Sequence, residues 1–144
     1  MVITRIFSYR AFPWGPLIAQ YCAVSFVMLG LDMALLHLGY RHYEFMTVAP
    51  IIFCGVAALG SLATTFSVWL RRQAWALGLL AIIVGVTGTV FHLQIAFSGL
   101  THYSLNLILE HLIFDPRPPL APAAVAGTGL LLFFLAIAER LPRP

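Results

Sequence analysis

Charge is scarce in this chain. Only 9% of its 144 residues are Asp, Glu, Lys or Arg, while 61% are apolar or aromatic and the mean hydropathy is +0.95. A soluble domain of this size has no use for so much apolar surface, which excludes that class. Lysine is missing altogether, since all eight basic residues are arginines. The net charge of +3 reflects where those arginines sit along the chain, and no nucleic-acid partner is read into it. Cysteine is limited to Cys22 and Cys54. They enter two antiparallel spans from opposite ends, at depths that differ by roughly 15 Å of helical rise, so a disulfide between them is not expected.

Several motifs are missing too. Neither a Gly-rich phosphate loop nor a G-x-S-x-G elbow occurs, so hydrolase and transferase chemistry finds no support and a redox subunit is the most enzyme-like expectation. No H-x-x-x-H, E-x-x-H or C-x-x-C spacing is present, so any metal ligands would have to converge from separate segments. A transporter is disfavoured because four spans offer little path without oligomerisation.

What the chain has is long apolar runs. Four windows, Pro16–Leu38, Val48–Leu70, Trp75–Ser98 and Ala121–Glu139, are long enough to cross a bilayer core at 1.5 Å per residue. The fold class expected is an all-α integral membrane protein, a four-helix up-down bundle forming a single domain over residues 1–144. The first window is too long for a cleavable signal, carries Asp32 and has no Ala-x-Ala-like site after it, so it is expected to remain as a helix.

The arginines set an expected topology. Arg5 and Arg10 precede span one, Arg71 and Arg72 join spans two and three, and Arg140 and Arg143 follow span four, whereas the other two connections hold only Arg41 and Arg117. By the positive-inside rule both termini face the cytoplasm of a bacterial-type inner membrane. Trp14, Trp69 and Trp75 would then form a cytoplasmic aromatic belt, with Tyr40, Tyr43 and Tyr103 at the outer surface.

Two stretches share a pattern: Gly30–His37 reads GLDMALLH and Gly85–His92 reads GVTGTVFH. In each, a glycine precedes a histidine by seven residues, and residues i and i+7 share a helix face. The two glycines are offset by 55 residues. An offset of 72 aligns Ala49-Pro50 with Ala121-Pro122 and Gly55 with Gly127, and His42-Tyr43 recurs as His102-Tyr103. The chain therefore reads as two tandem two-helix repeats, about 16–70 and 75–141, related by an axis along the membrane normal. The second outer loop is longer, and its section Ser104–Phe114 places Leu105, Ile108, Leu109, Leu112 and Ile113 on one arc, which predicts a helix lying on the membrane surface. Asp115 and the prolines that follow should end it.

All five histidines, His37, His42, His92, His102 and His111, fall in the outer half under this topology, as do Asp32, Glu44, Glu110 and Asp115. Glu139 is the only acid on the cytoplasmic side. An intramembrane carboxylate is a functional candidate by default, although Asp32 lies within two turns of the outer end and could reach water or pair with Arg41. Spans one and three are diagonal neighbours in an up-down bundle, so His37 and His92 at equal depth could hold haem b edge-on. Gly30, Gly85 and Gly88 would let the ring approach the backbone, and Arg41 or Arg117 could pair with its propionates. Such a protein would be a small b-type cytochrome or electron-transfer subunit.

Other expectations stand beside it. A copper, zinc or iron site could draw on His37, His92, His42, His102 and Glu44. A single histidine could ligate the magnesium of a chlorophyll-type pigment. Without any cofactor, the chain would be an accessory subunit filling a seam in a larger membrane complex, or part of a homo-oligomer in the lipid bilayer. Its small-residue stripes, Gly55, Ala57, Ser61 and Thr64 in span two and Gly78, Gly85 and Gly88 in span three, permit close helix contact whatever else they do.

Overall fold

The computed structural model describes residues 14–37, 45–98, 104–114 and 120–141, and every regular element among them is helical. In chain order these are α1 (Trp14–His37), α2 (Phe45–Phe66), α3 (Val68–Gln73), α4 (Trp75–Phe97), α5 (Leu105–Phe114) and α6 (Leu120–Ala138). Four of them, α1, α2, α4 and α6, are long and apolar enough to cross a membrane, and the chain is a membrane protein.

Two boundaries differ from the sequence reading, each for a local reason. Span two was expected to run to Leu70, but the helix breaks at Ser67, which is extended with φ −139° and ψ 122°. Its hydroxyl oxygen accepts from the Leu70 backbone N–H at 3.4 Å, the hydrogen bond of an N-cap, so α3 starts as a separate helix within the stretch expected to end span two. At its other end α2 reaches back to Phe45, about a turn before the expected start at Val48, and Pro50 lies inside it. The expected surface segment is a helix over Leu105–Phe114.

The helices pack mainly in two pairs, α1 against α2 and α4 against α6, joined by a seam between α1 and α6. Inside a bilayer no hydrophobic force drives helices together, so contact depends on how closely the backbones can approach. Small residues supply that approach. A Cβ added at Gly78 would lie 2.7 Å from the Gly129 carbonyl and the Phe133 nitrogen, and one at Gly129 would lie 2.6 Å from the Ala81 Cβ. At Gly85 it would meet the Pro122 carbonyl at 2.6 Å and the Ala126 backbone nitrogen. These positions form one face of α4, seated on the Pro122, Ala126, Gly129 and Phe133 face of α6.

The buried core collects where the pairs meet. Phe26, Cys22, Val125 and Leu132 are fully covered, and Phe26 meets Phe53 edge-on at 6.4 Å between centroids. Cys22 and Cys54 are buried free thiols, and the Cys22 thiol lies 3.9 Å from the Thr128 carbonyl across the α1–α6 seam. The outward faces stay apolar: only 17% of the α4 span is buried within the chain, against 33% for α6.

The glycines make separable predictions. Gly85→Ala should destabilise the bundle by about 2 kcal/mol, because its methyl group meets backbone that cannot give way. Gly127→Ala, where an added Cβ meets nothing within 4 Å, should leave stability unchanged or raise it by up to about 1 kcal/mol. Unfolding of the two variants in detergent, followed by circular dichroism, compares them.

Candidate functional site

The polar contacts of the described residues concentrate at one end of the bundle. Because α2 stops at Ser67, α3 carries Arg71 back against the last turn of α2, whose carbonyls have lost their helical partners. The Arg71 guanidinium donates from Nη1 to the Thr64 carbonyl at 2.9 Å and the Thr65 carbonyl at 3.1 Å. Its Nε donates to Glu139 Oε1 at 3.2 Å, and the two side chains are only 8% and 10% exposed. The start of α1 closes over this pair. A Cβ at Gly15 would sit 2.5 Å from Glu139 Oε1 and 3.1 Å from Arg71 Nε, so only glycine leaves room.

A second layer lies outside it. Arg72 donates from Nε to the Glu139 carbonyl at 2.9 Å, and Arg140 donates from Nε to the Arg72 carbonyl at 2.8 Å. The Arg140 guanidinium also lies over the Trp75 ring, 5.6 Å from its centroid. The start of α1, the end of α2, the start of α4 and the end of α6 therefore converge here, and Trp14, Trp69 and Trp75 are all exposed at this end. The Glu139 carboxylate is engaged by Arg71, so the arrangement acts as a clamp between helices.

The residues singled out in the sequence are distributed as follows. Gly30 faces α2, with the Cys54 Cβ 3.1 Å from where its own would be. Gly85 and Gly88 face α6, and a Cβ on Gly88 would lie 3.0 Å from the Pro122 Cβ. The space at each glycine is taken up by a neighbouring helix. His92 is half-buried on the face of α4 that carries Gly85 and Gly88, and His37 is the last residue of α1. Gly30 thus faces α2, and Gly85 and Gly88 face α6. His42, His102, Glu44, Arg41 and Arg117 lie outside the described residues. Among the described residues no group of three or more His, Cys, Asp or Glu side chains is gathered to hold a metal ion. Asp32 is exposed on α1.

Comparison with protein-family models, with curated proteins and with solved structures finds no match to this chain. The pair that sequence reasoning passed over is Arg71 with Glu139. One signal pointed to it: Glu139 stands as the sole acid at the end where Arg71, Arg72 and Arg140 gather.

Removing one partner of so covered a pair leaves a charge without compensation. Glu139→Gln should cost about 3 kcal/mol of stability. The double variant Arg71→Met with Glu139→Leu should recover most of that loss, because neither buried charge remains. A double-mutant cycle on unfolding in detergent measures the coupling, and additive losses would mean that the pair contributes nothing as a pair.

Proposed function

We propose that this protein is a non-catalytic accessory subunit of a larger membrane complex. The observation that carries this is Asp32, a carboxylate on the exposed side of a membrane-spanning helix among exposed Met28, Leu31 and Leu35. A carboxylate facing lipid is costly, so such residues turn to a protein interior, to water or to a partner. A partner helix against this face of α1 would supply the polar contact. The outward faces of the four spans are broad enough to seat one, and the glycine-lined contacts within the chain leave the bundle itself complete.

The two halves are further proposed to be tandem repeats. Gly30 meets Cys54 and Gly85 meets Ala126, and these contacts correspond under the offsets of 55 and 72 that align the two sequences. The positive-inside bias supports an inner membrane with both termini in the cytoplasm. For α5, exposed Leu105 and Leu109 beside Asn106 and Glu110 support a position along the membrane surface.

A second reading is a b-type cytochrome with haem ligated by His37 and His92. Its support is that α1 and α4 both start at the clamped end, so both histidines lie towards the opposite end of the bundle. A periplasmic-side copper, zinc or iron site would draw on the same pair together with His42, His102 and Glu44.

Gentle extraction should recover the chain with a larger membrane partner, and Asp32→Leu should release it from that partner without lowering the stability of the isolated protein. A lone monodisperse particle obtained under conditions that preserve other membrane complexes would reject the accessory reading. An absorption spectrum of the same preparation tests the cytochrome: a Soret band lost in His37→Ala and His92→Ala supports it, and a colourless protein from haem-replete cells sinks it.

A further inference from the structure

We infer that the arginine-bearing end of the bundle is a binding site for the phosphate headgroup of an anionic phospholipid, held by Arg72 and Arg140. This inference is independent of the accessory role. It starts from how the two guanidinium groups are fixed. Each uses its Nε to bond a backbone carbonyl across the junction, Arg72 to Glu139 and Arg140 to Arg72, at 2.9 and 2.8 Å. Arg140 is further braced by the Trp75 ring below it and by a long contact of 3.5 Å from Nη2 to Gln73 Oε1. Both side chains are nevertheless exposed, so their outer edges face the surroundings with little freedom left to lose.

The charge of Arg72 and Arg140 has no carboxylate of its own among the described residues. Among the described residues, the one side-chain carboxylate at this end is that of Glu139, and Arg71 engages it inside the bundle. Arg72 and Arg140 bond only to uncharged acceptors, two backbone carbonyls and a side-chain amide. No carboxylate among the described residues therefore offsets their fixed positive charges at the bundle end. Trp14, Trp69 and Trp75 are exposed around the same end, which sets it at headgroup level, where indole rings settle. Planar guanidinium groups match phosphate oxygens in geometry, and basic sites at the ends of membrane helices take anionic headgroups. A phosphodiester on a lipid whose chains run beside α4 and α6 meets all of these features, since it brings the anion to the surface at which the arginines are held.

The test uses the full-length protein in detergent, titrated with phosphatidylglycerol or with zwitterionic phosphatidylcholine and read by native mass spectrometry. Phosphatidylglycerol should be retained and phosphatidylcholine should not. Arg72→Gln and Arg140→Gln should each weaken retention about fivefold, and the double variant about 25-fold, as expected for one interfacial arginine charge apiece. Arg117→Gln, which removes the same charge from the connection before α6, should change nothing. Equal retention of the two lipids, or wild-type retention by the folded double variant, would overturn the proposal. Inorganic phosphate binding as tightly as the lipid, with the same losses in the variants, would overturn the lipid as the source of the anion. Where the double variant does not fold, wild-type protein in vesicles decides. Phosphatidylglycerol should slow dicarbonyl modification of Arg72 and Arg140 relative to Arg117, and equal rates in the two lipids would reject the site.

Discussion

Burying a guanidinium and a carboxylate together at the edge of an apolar bundle is costly unless every charged atom finds a partner, and that constraint organises one whole end of this protein. Arg71 meets it by reaching both Glu139 and the open carbonyls at the end of α2. These partners belong to segments far apart in sequence. Satisfying one guanidinium therefore brings the end of α2 to the end of α6, and the same site demands glycine at position 15 where α1 begins. The interaction serves less as a source of stability than as a register for the helices, since any sliding of α6 would strand a buried charge.

Away from that end the helices are held by shape. The α4–α6 contact is made by backbone lying against backbone, with Gly78, Gly85 and Gly129 removing the side chains that would hold the two apart. In the α1–α2 pair the corresponding approach is made at Gly30 and Cys54. The α4–α6 contacts tolerate little change, because the atoms opposing Gly78 and Gly85 are largely main chain and have nowhere to move. The glycines seven residues before His37 and His92 each meet a neighbouring helix, Gly30 at Cys54 and Gly85 at Pro122 and Ala126.

The two ends of the molecule differ in kind. One has its charges fixed, its tryptophans exposed and its carboxylate committed, which suits it to meet headgroups. Towards the other end lie Asp32 and His92, set among apolar residues on spans whose outer faces remain uncovered. Under the proposed accessory role, lipid would orient the protein at one end while a partner contacts it along α1.

Much of this was legible in the sequence. The apolar windows located all four spanning helices to within a few residues, because a membrane span is defined by length and hydropathy, both local properties. The amphipathic arc of α5 was equally plain, and so was the crowding of arginine and tryptophan around the helix starts and ends that converge. The break at Ser67 was not, because the apolar pattern continues through Val68, Trp69 and Leu70 and only the backbone geometry shows the cap. Periodicity placed Gly85 and His92 on one face of α4, but it could not say which helix that face meets. The isolation of Glu139 among the arginines hinted at a pair, but that its partner is Arg71, 68 residues away, lay beyond any local pattern. The sequence by itself determined that there are four spanning helices, about where they run and which residues share a face. Only the tertiary structure decided which faces meet and which charges are buried, because those depend on the approach of segments that no local rule connects.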